Sequence, residues 1–139
     1  MPYIYAVRHD LKLVHKRVWG VYSDAEAQAA DIEWRELLAV APEILGYDEL
    51  HDLTSVTEYQ VSVEAVRKIA SEYNRFRQQV EATPSRTAYI VPSRIAFGTG
   101  RVYQALIEVS GVHFSVFEGL QEGLDWLGIQ ELPELSIPD

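Results

Sequence analysis

The sequence predicts an α/β domain with a mixed sheet of about five strands and about four helices, in the order β-β-α-β-α-β-α-β-α. Three observations carry this. Short runs rich in Val, Ile, Tyr and Phe alternate with longer segments whose apolar residues recur every three or four positions. Three of those longer segments follow a serine suited to a helix N-terminus, at Ser23, Ser62 and Ser93. The chain has 139 residues with 47% hydrophobic content, enough for one domain around one core.

The elements follow in order. In residues 3–9 Tyr3, Tyr5 and Val7 alternate, and residues 12–22 continue with Leu13, Val18, Trp19, Val21 and Tyr22. Asp10-Leu11 is a short link, so the pair reads as an antiparallel hairpin, with Gly20 marking a bulge or a close backbone approach. Ser23-Asp24-Ala25-Glu26 is a capping box: serine can accept from the amide three residues on, and glutamate can reach back. The helix it opens turns Ala27, Ala30, Trp34, Leu38 and Ala41 to one side and stops at Pro42. Leu45–Leu53 reads as a third strand and Thr54–Gln60 as a polar loop. The second helix begins near Ser62, with Val63, Val66, Ala70, Tyr73, Phe76 and Val80 as its apolar stripe, and Thr83-Pro84-Ser85 ends it. Thr87–Val91 is the fourth strand, residues 94–110 the third helix with Gly111 as terminator, His113–Phe117 the fifth strand, and Leu120–Leu127 a last helix ending at Gly128. Residues 1–128 form the domain; residues 129–139, with two prolines, form an extended or frayed tail. The tryptophans are expected to pack, with Trp126 pinning the last helix to the sheet.

The formal net charge of −9 argues against nucleic acid or an anionic membrane surface as partner. No apolar run approaches the length of a membrane helix, and the start has no signal-peptide pattern, so a cytoplasmic location is expected. There is no cysteine, which excludes disulfides and thiolate chemistry. Charge is uneven. Residues 1–22 hold Arg8, Lys12, Lys16 and Arg17 against Asp10, whereas residues 118–139 hold six acids and no base. These are two solvated surfaces or complementary faces of neighbouring subunits.

Thr87-Ala88-Tyr89-Ile90-Val91-Pro92-Ser93, Phe97-Gly98-Thr99-Gly100-Arg101, Val116-Phe117 and Gly123-Leu124-Asp125-Trp126-Leu127, with Asp52-Leu53 upstream, occur in an order that resembles the SpoIIAA-like proteins of the STAS domain superfamily. The resemblance implies a module that docks with other proteins or holds a small or lipid-like ligand. It also implies, in the regulatory branch, a phosphorylatable serine preceded by aspartate at the start of the second helix. That dipeptide aligns with Gln60-Val61, which do not fit; Ser62, one place later, is the nearest candidate phosphosite and equally a helix N-cap.

Candidate functional residues fall on two parts of that frame, the third helix and the end of the third strand. At 100° per residue, Ala96, Thr99, Gly100, Tyr103, Leu106, Ile107 and Ser110 share the sheet side of the third helix, and Arg94, Phe97, Gly98, Arg101 and Ala105 the other. A phenylalanine flanked by arginines, beside a glycine notch, suits an interface; Phe97 can also staple against Pro92. Asp52, Thr54 and Ser55 extend the candidate binding surface at the end of the third strand. Glu49, Asp52 and Glu58 form an acidic cluster there, either solvated or the carboxylates of an enzyme. Gly98-Thr99-Gly100 is not a dinucleotide fingerprint, because Tyr103 stands at the third glycine position. No Gly-x-Ser-x-Gly elbow occurs. His9, His15, His51 and His113 lack ligand spacing, and His51 and Asp52 point to opposite faces of a strand. No catalytic residue, metal or cofactor is therefore expected. The leading expectation is a non-enzymatic binding module for a protein partner or itself. The alternatives are a carrier of a small hydrophobic or lipid-like ligand and an enzyme using the acidic cluster.

Overall fold

The computed structural model describes residues 2–108 and 111–137. Five strands form one sheet in sequential order: β1 (Tyr3–Arg8), β2 (Leu13–Ser23), β3 (Asp48–Gln60), β4 (Ser85–Ile90) and β5 (Val112–Phe117). β1 is antiparallel to β2, and the other neighbours are parallel. Helices α1 (Asp24–Val40), α2 (Val63–Gln79) and α3 (Arg94–Ile107) connect the parallel strands, and α4 (Leu120–Leu127) follows β5. This is the expected α/β class, with the expected strands and helices.

Each crossover advances one strand in the same direction. Units of one hand then deliver α1, α2 and α3 to the same face of the sheet. There Val18, Leu53, Val56, Phe114 and Val116 meet Ala30 and Trp34 of α1, Val66 and Ile69 of α2, and Ala96 and Ile107 of α3. On the opposite face Leu13, Leu50, Ala88 and Ile90 meet Leu124 and Leu127 of α4. Each Val, Leu, Ile or Phe among them contributes about 1.5–3 kcal/mol by leaving water.

The helix starts follow from the serines. Ser23 and Glu26 form the capping box, and the Ser62 and Ser93 hydroxyls accept from the amides of Ala65 and Ala96. Gly128 ends α4 at φ 73°, where a side chain would be strained. Gly20 has φ 71° and lies at a register shift between β2 and β3, as a bulge requires.

Arg86 joins the two layers. Its guanidinium pairs with Asp48 of β3 (Nη2 to Oδ2, 2.7 Å) and donates to the last carbonyls of α4, at Trp126 (3.0 Å) and Leu127 (3.2 Å). A cation at a helix C-terminus is favourable. Trp126 packs on Phe117 and under the Arg86 guanidinium, and so pins α4 as expected.

Several expectations need correction. The third strand does not begin at Leu45 or end at Leu53. A 3-10 turn (Pro42–Ile44) intervenes first, and β3 then runs on to Gln60, so Thr54–Gln60 is strand and not loop. The extension pairs with β2 from Trp19↔Ser55 to Ser23↔Gln60, beyond the end of β4, and Thr54, Thr57 and Glu58 are exposed. Val63 and Val80 are not core: each is 40% exposed, at the ends of α2. The third helix ends at Ile107, and Ser110 lies outside the described residues. The tail is not frayed through Leu135. Ile129 and Leu132 pack beside α4, and Arg17 donates to Glu134 (2.8 Å) and to the Leu135 carbonyl (2.5 Å). Arg17 of the basic start is thus paired with Glu134 of the acidic end within one chain. Among the described residues no helix is long and apolar enough to cross a membrane.

The two glycines of α3 differ. A Cβ at Gly98 would meet nothing within 4 Å, whereas one at Gly100 would lie 3.1 and 3.2 Å from the Val116 methyls. Gly98→Ala should therefore stabilise by about 1 kcal/mol through helix propensity. Gly100→Ala should lose that gain to crowding against a stiff side chain and fall at least about 1 kcal/mol below it. Urea denaturation of the two variants measures the difference.

Candidate functional site

The outward face of α3 is partly as expected. Arg94, Gly98 and Arg101 are exposed. Phe97 is not free on that face: it is half-buried and packs against the core that includes Ala96 and Val116. The exposed apolar residue is Ile95, 79% accessible. Phe97 follows the buried Ala96 and lies at the margin of the buried stripe, so its ring reaches the core while Arg94 and Arg101 stay exposed.

The residues at the end of the third strand do not form one site. Leu50 faces α4, so Asp52, two positions on, shares that face, while Glu49 and His51 face α1–α3. Asp52 is buried, and its Oδ1 accepts from the amide (2.9 Å) and hydroxyl (2.6 Å) of Thr54. Ser55 accepts from Arg17 Nη2 (3.0 Å), in the same tie that holds the tail. Glu58 is exposed and hydrogen-bonded by Gln60. The acidic cluster of Glu49, Asp52 and Glu58 is therefore not assembled, because the alternation of the strand splits it.

Ser62 is the N-cap of α2 and is also clamped by Asp24. The carboxylate of Asp24 accepts from the Ser62 amide (2.6 Å) and hydroxyl (2.7 Å), which ties the starts of α1 and α2 together. These bonds hold the Asp24 carboxyl below the usual range. A phosphate on this oxygen would face a carboxylate.

The largest polar constellation lies inside, between the sheet and α1–α3. A cavity of about 80 Å³ opens there, lined by Lys16 of β2, Glu49 and His51 of β3, Thr87 and Tyr89 of β4, Asp31 and Trp34 of α1, Tyr73 of α2, and Gly100 and Tyr103 of α3. Lys16 and His51 are cross-strand partners. Alternation explains the set: Val14, Lys16 and Val18 share one face of β2, and Glu49, His51 and Leu53 one face of β3.

Within it the acids already have partners. Glu49 accepts from His51 Nε2 (2.9 Å) and the Tyr73 hydroxyl (3.5 Å). Asp31 is paired with Arg35 (3.0 Å). Burial nevertheless pushes the Asp31 carboxyl up to about 6, against the pull of Arg35. Burial also lowers the His51 imidazole, against its bond to Glu49, so the neutral ring with hydrogen on Nε2 suits this contact.

Lys16 differs. It is 6% exposed, with Nζ 5.2, 5.6 and 5.9 Å from the ring centres of Tyr3, Tyr5 and Tyr22. Among the described residues the ammonium forms no ion pair and no hydrogen bond. Burial pushes it down to about 8, against the attraction of Glu49, Asp31 and Glu33. The cage and these neighbours keep most of it charged at neutral pH.

Neither the α3 surface nor the acidic cluster pointed to this pocket. The available signal was a lysine at an inward position of β2, in register with a histidine on β3. Among the described residues no group of three His, Cys, Asp or Glu side chains could hold a metal. No protein-family model matches the chain, and no curated protein matches it.

Two outcomes are expected. Between about pH 8 and 10 the unfolded chain binds the Lys16 proton more tightly than the native one does, so stability rises with pH across that window. Denaturant titrations should show a rise on the order of 2 kcal/mol, absent in Lys16→Met. Above the ordinary tyrosine pKa the buried tyrosines, whose values are raised, work in the opposite sense. Second, Ser62→Asp keeps a competent cap but places two carboxylates together. It should cost about 1–2 kcal/mol, and Asp24→Asn in the same chain should recover part of it.

Proposed function

We propose that the chain is a STAS-like, non-enzymatic cytoplasmic binding module whose ligand is a small molecule held between the sheet and α1–α3. The observation that carries this reading is the cavity itself, a concave site where charged, imidazole and hydroxyl groups converge on apolar walls. Binding is favoured over catalysis because both buried carboxylates are already committed, Glu49 to His51 and Tyr73 and Asp31 to Arg35. At about 80 Å³ the cavity favours a small ligand over a lipid-sized one.

A second reading, docking to a protein partner or to another copy of the chain, is favoured by Ile95. An isoleucine this exposed, beside Arg94 and with Arg101 on the same helix, suits an interface anchor.

The small-ligand reading is tested by native mass spectrometry of the purified chain, joined to a thermal-shift screen of charged and neutral fragments. At least one fragment should raise the melting temperature by about 2–4 °C. Ala30→Leu, or Thr99→Leu from the opposite wall, should abolish the shift while keeping the far-ultraviolet circular dichroism. A shift that survives both fillings, or no retained mass and no shift at all, defeats the reading. An Ile95→Asp, Arg101→Glu variant with unchanged sedimentation and unchanged cross-linked partners removes the docking alternative.

A further inference from the structure

We propose that the cavity beside Lys16 binds a short-chain monocarboxylate, whose carboxylate accepts the hydrogen bonds of the Lys16 ammonium. This rests on the small-ligand reading above and adds the charge and size of the ligand.

Charge is the first argument. Glu49 is hydrogen-bonded by His51 and Tyr73, and Asp31 is ion-paired with Arg35. The charged group on the cavity wall with no hydrogen-bond or ion-pair partner among the described residues is the Lys16 ammonium, in a residue 94% buried by area and faced by aromatic rings. Rings can hold one side of an ammonium, but they do not replace three acceptors. An ammonium that lines a cavity and has no protein acceptor there is a ready donor to a carboxylate that enters it.

The number of charges is the second. One ammonium stands near three carboxylates, Glu49, Asp31 and Glu33. Against those acids a monoanion is repelled less than a phosphate dianion, which would meet the same single cation.

Size and shape are the third. An apolar cavity of about 150 Å³ takes a six-carbon ring, so about 80 Å³ suits a smaller body: a carboxylate of about two to four carbons in all, and not a long acyl chain. Tyr22, Tyr103 and Phe114 supply the apolar wall for that body.

The test uses the full chain with 13C-labelled lysine. Its three lysines, Lys12, Lys16 and Lys68, give few signals, and Lys16→Met assigns the one of interest. Acetate, propionate, butyrate, crotonate and benzoate are titrated, with propionamide and butyramide as uncharged matches. The expected result is a saturable shift of the Lys16 side-chain signal with propionate, butyrate or crotonate, at a Kd of about 1 mM or below. Lys12 and Lys68 should stay unshifted. The matched amide should bind at least about tenfold more weakly, and calorimetry on folded Lys16→Met should show a similar loss. The inference is overturned if no carboxylate in the series saturates the Lys16 signal by about 20 mM, or if Lys16→Met or the amides bind as well as the wild-type pair. In that case an amide that still shifts the cavity's tyrosine ring signals keeps the small-ligand reading and removes only the carboxylate. If neither class shifts the ring signals, both fall.

Discussion

β3 is covered on both faces over its first half, and most of the polar chemistry of the molecule follows from that constraint. A strand sends successive side chains to opposite sides. Glu49 and His51 must therefore enter the layer under α1–α3, and Asp48, Leu50 and Asp52 the layer under α4. Where these side chains are buried they need a protein partner, and the half-exposed ones find one as well. Glu49 has His51 and Tyr73, Asp48 has Arg86, and Asp52 has Thr54. The partners of β3 also explain the sheet's coherence: Arg86 reaches from β4 across Asp48 to the end of α4 and so joins two strands and a helix through one guanidinium.

The sequence was most legible where structure is local. Serine caps, the capping box and terminal glycines placed the helices to within a residue or two at most ends, and alternation placed the hairpin. It was least legible on β3. Thr54, Ser55, Thr57 and Glu58 look like a polar loop, and Val56 and Tyr59 break strict alternation because the register shifts between them, yet the segment is held as strand by pairing with a distant β2. That pairing is tertiary and leaves no mark on the local composition. The same is true of the cavity. Lys16, Glu49 and His51 are types that usually face water. They become a cluster only once β2 and β3 lie side by side with helices above them.

The surface expected to matter and the cavity share α3. Its inner side contributes Gly100 and Tyr103 to the cavity, and its outer side carries Arg94, Ile95 and Arg101. Gly100 lets the helix approach Val116 and Tyr89 closely, so the two sides are separated by a single helix diameter. The wall of the cavity and the exposed arginines thus belong to one rigid element. Ser62 and Asp24 work differently: they lock the starts of α1 and α2 together and leave α3 outside that tie.

Arg17 holds the chain near Leu135, and two residues on, the amide of Trp19 donates to the carbonyl of Pro2. Both ends of the described chain are thus moored to the same stretch of one strand. Residues 17–19 of β2 are a shared anchor, so a change there would loosen the first strand and the C-terminal segment together.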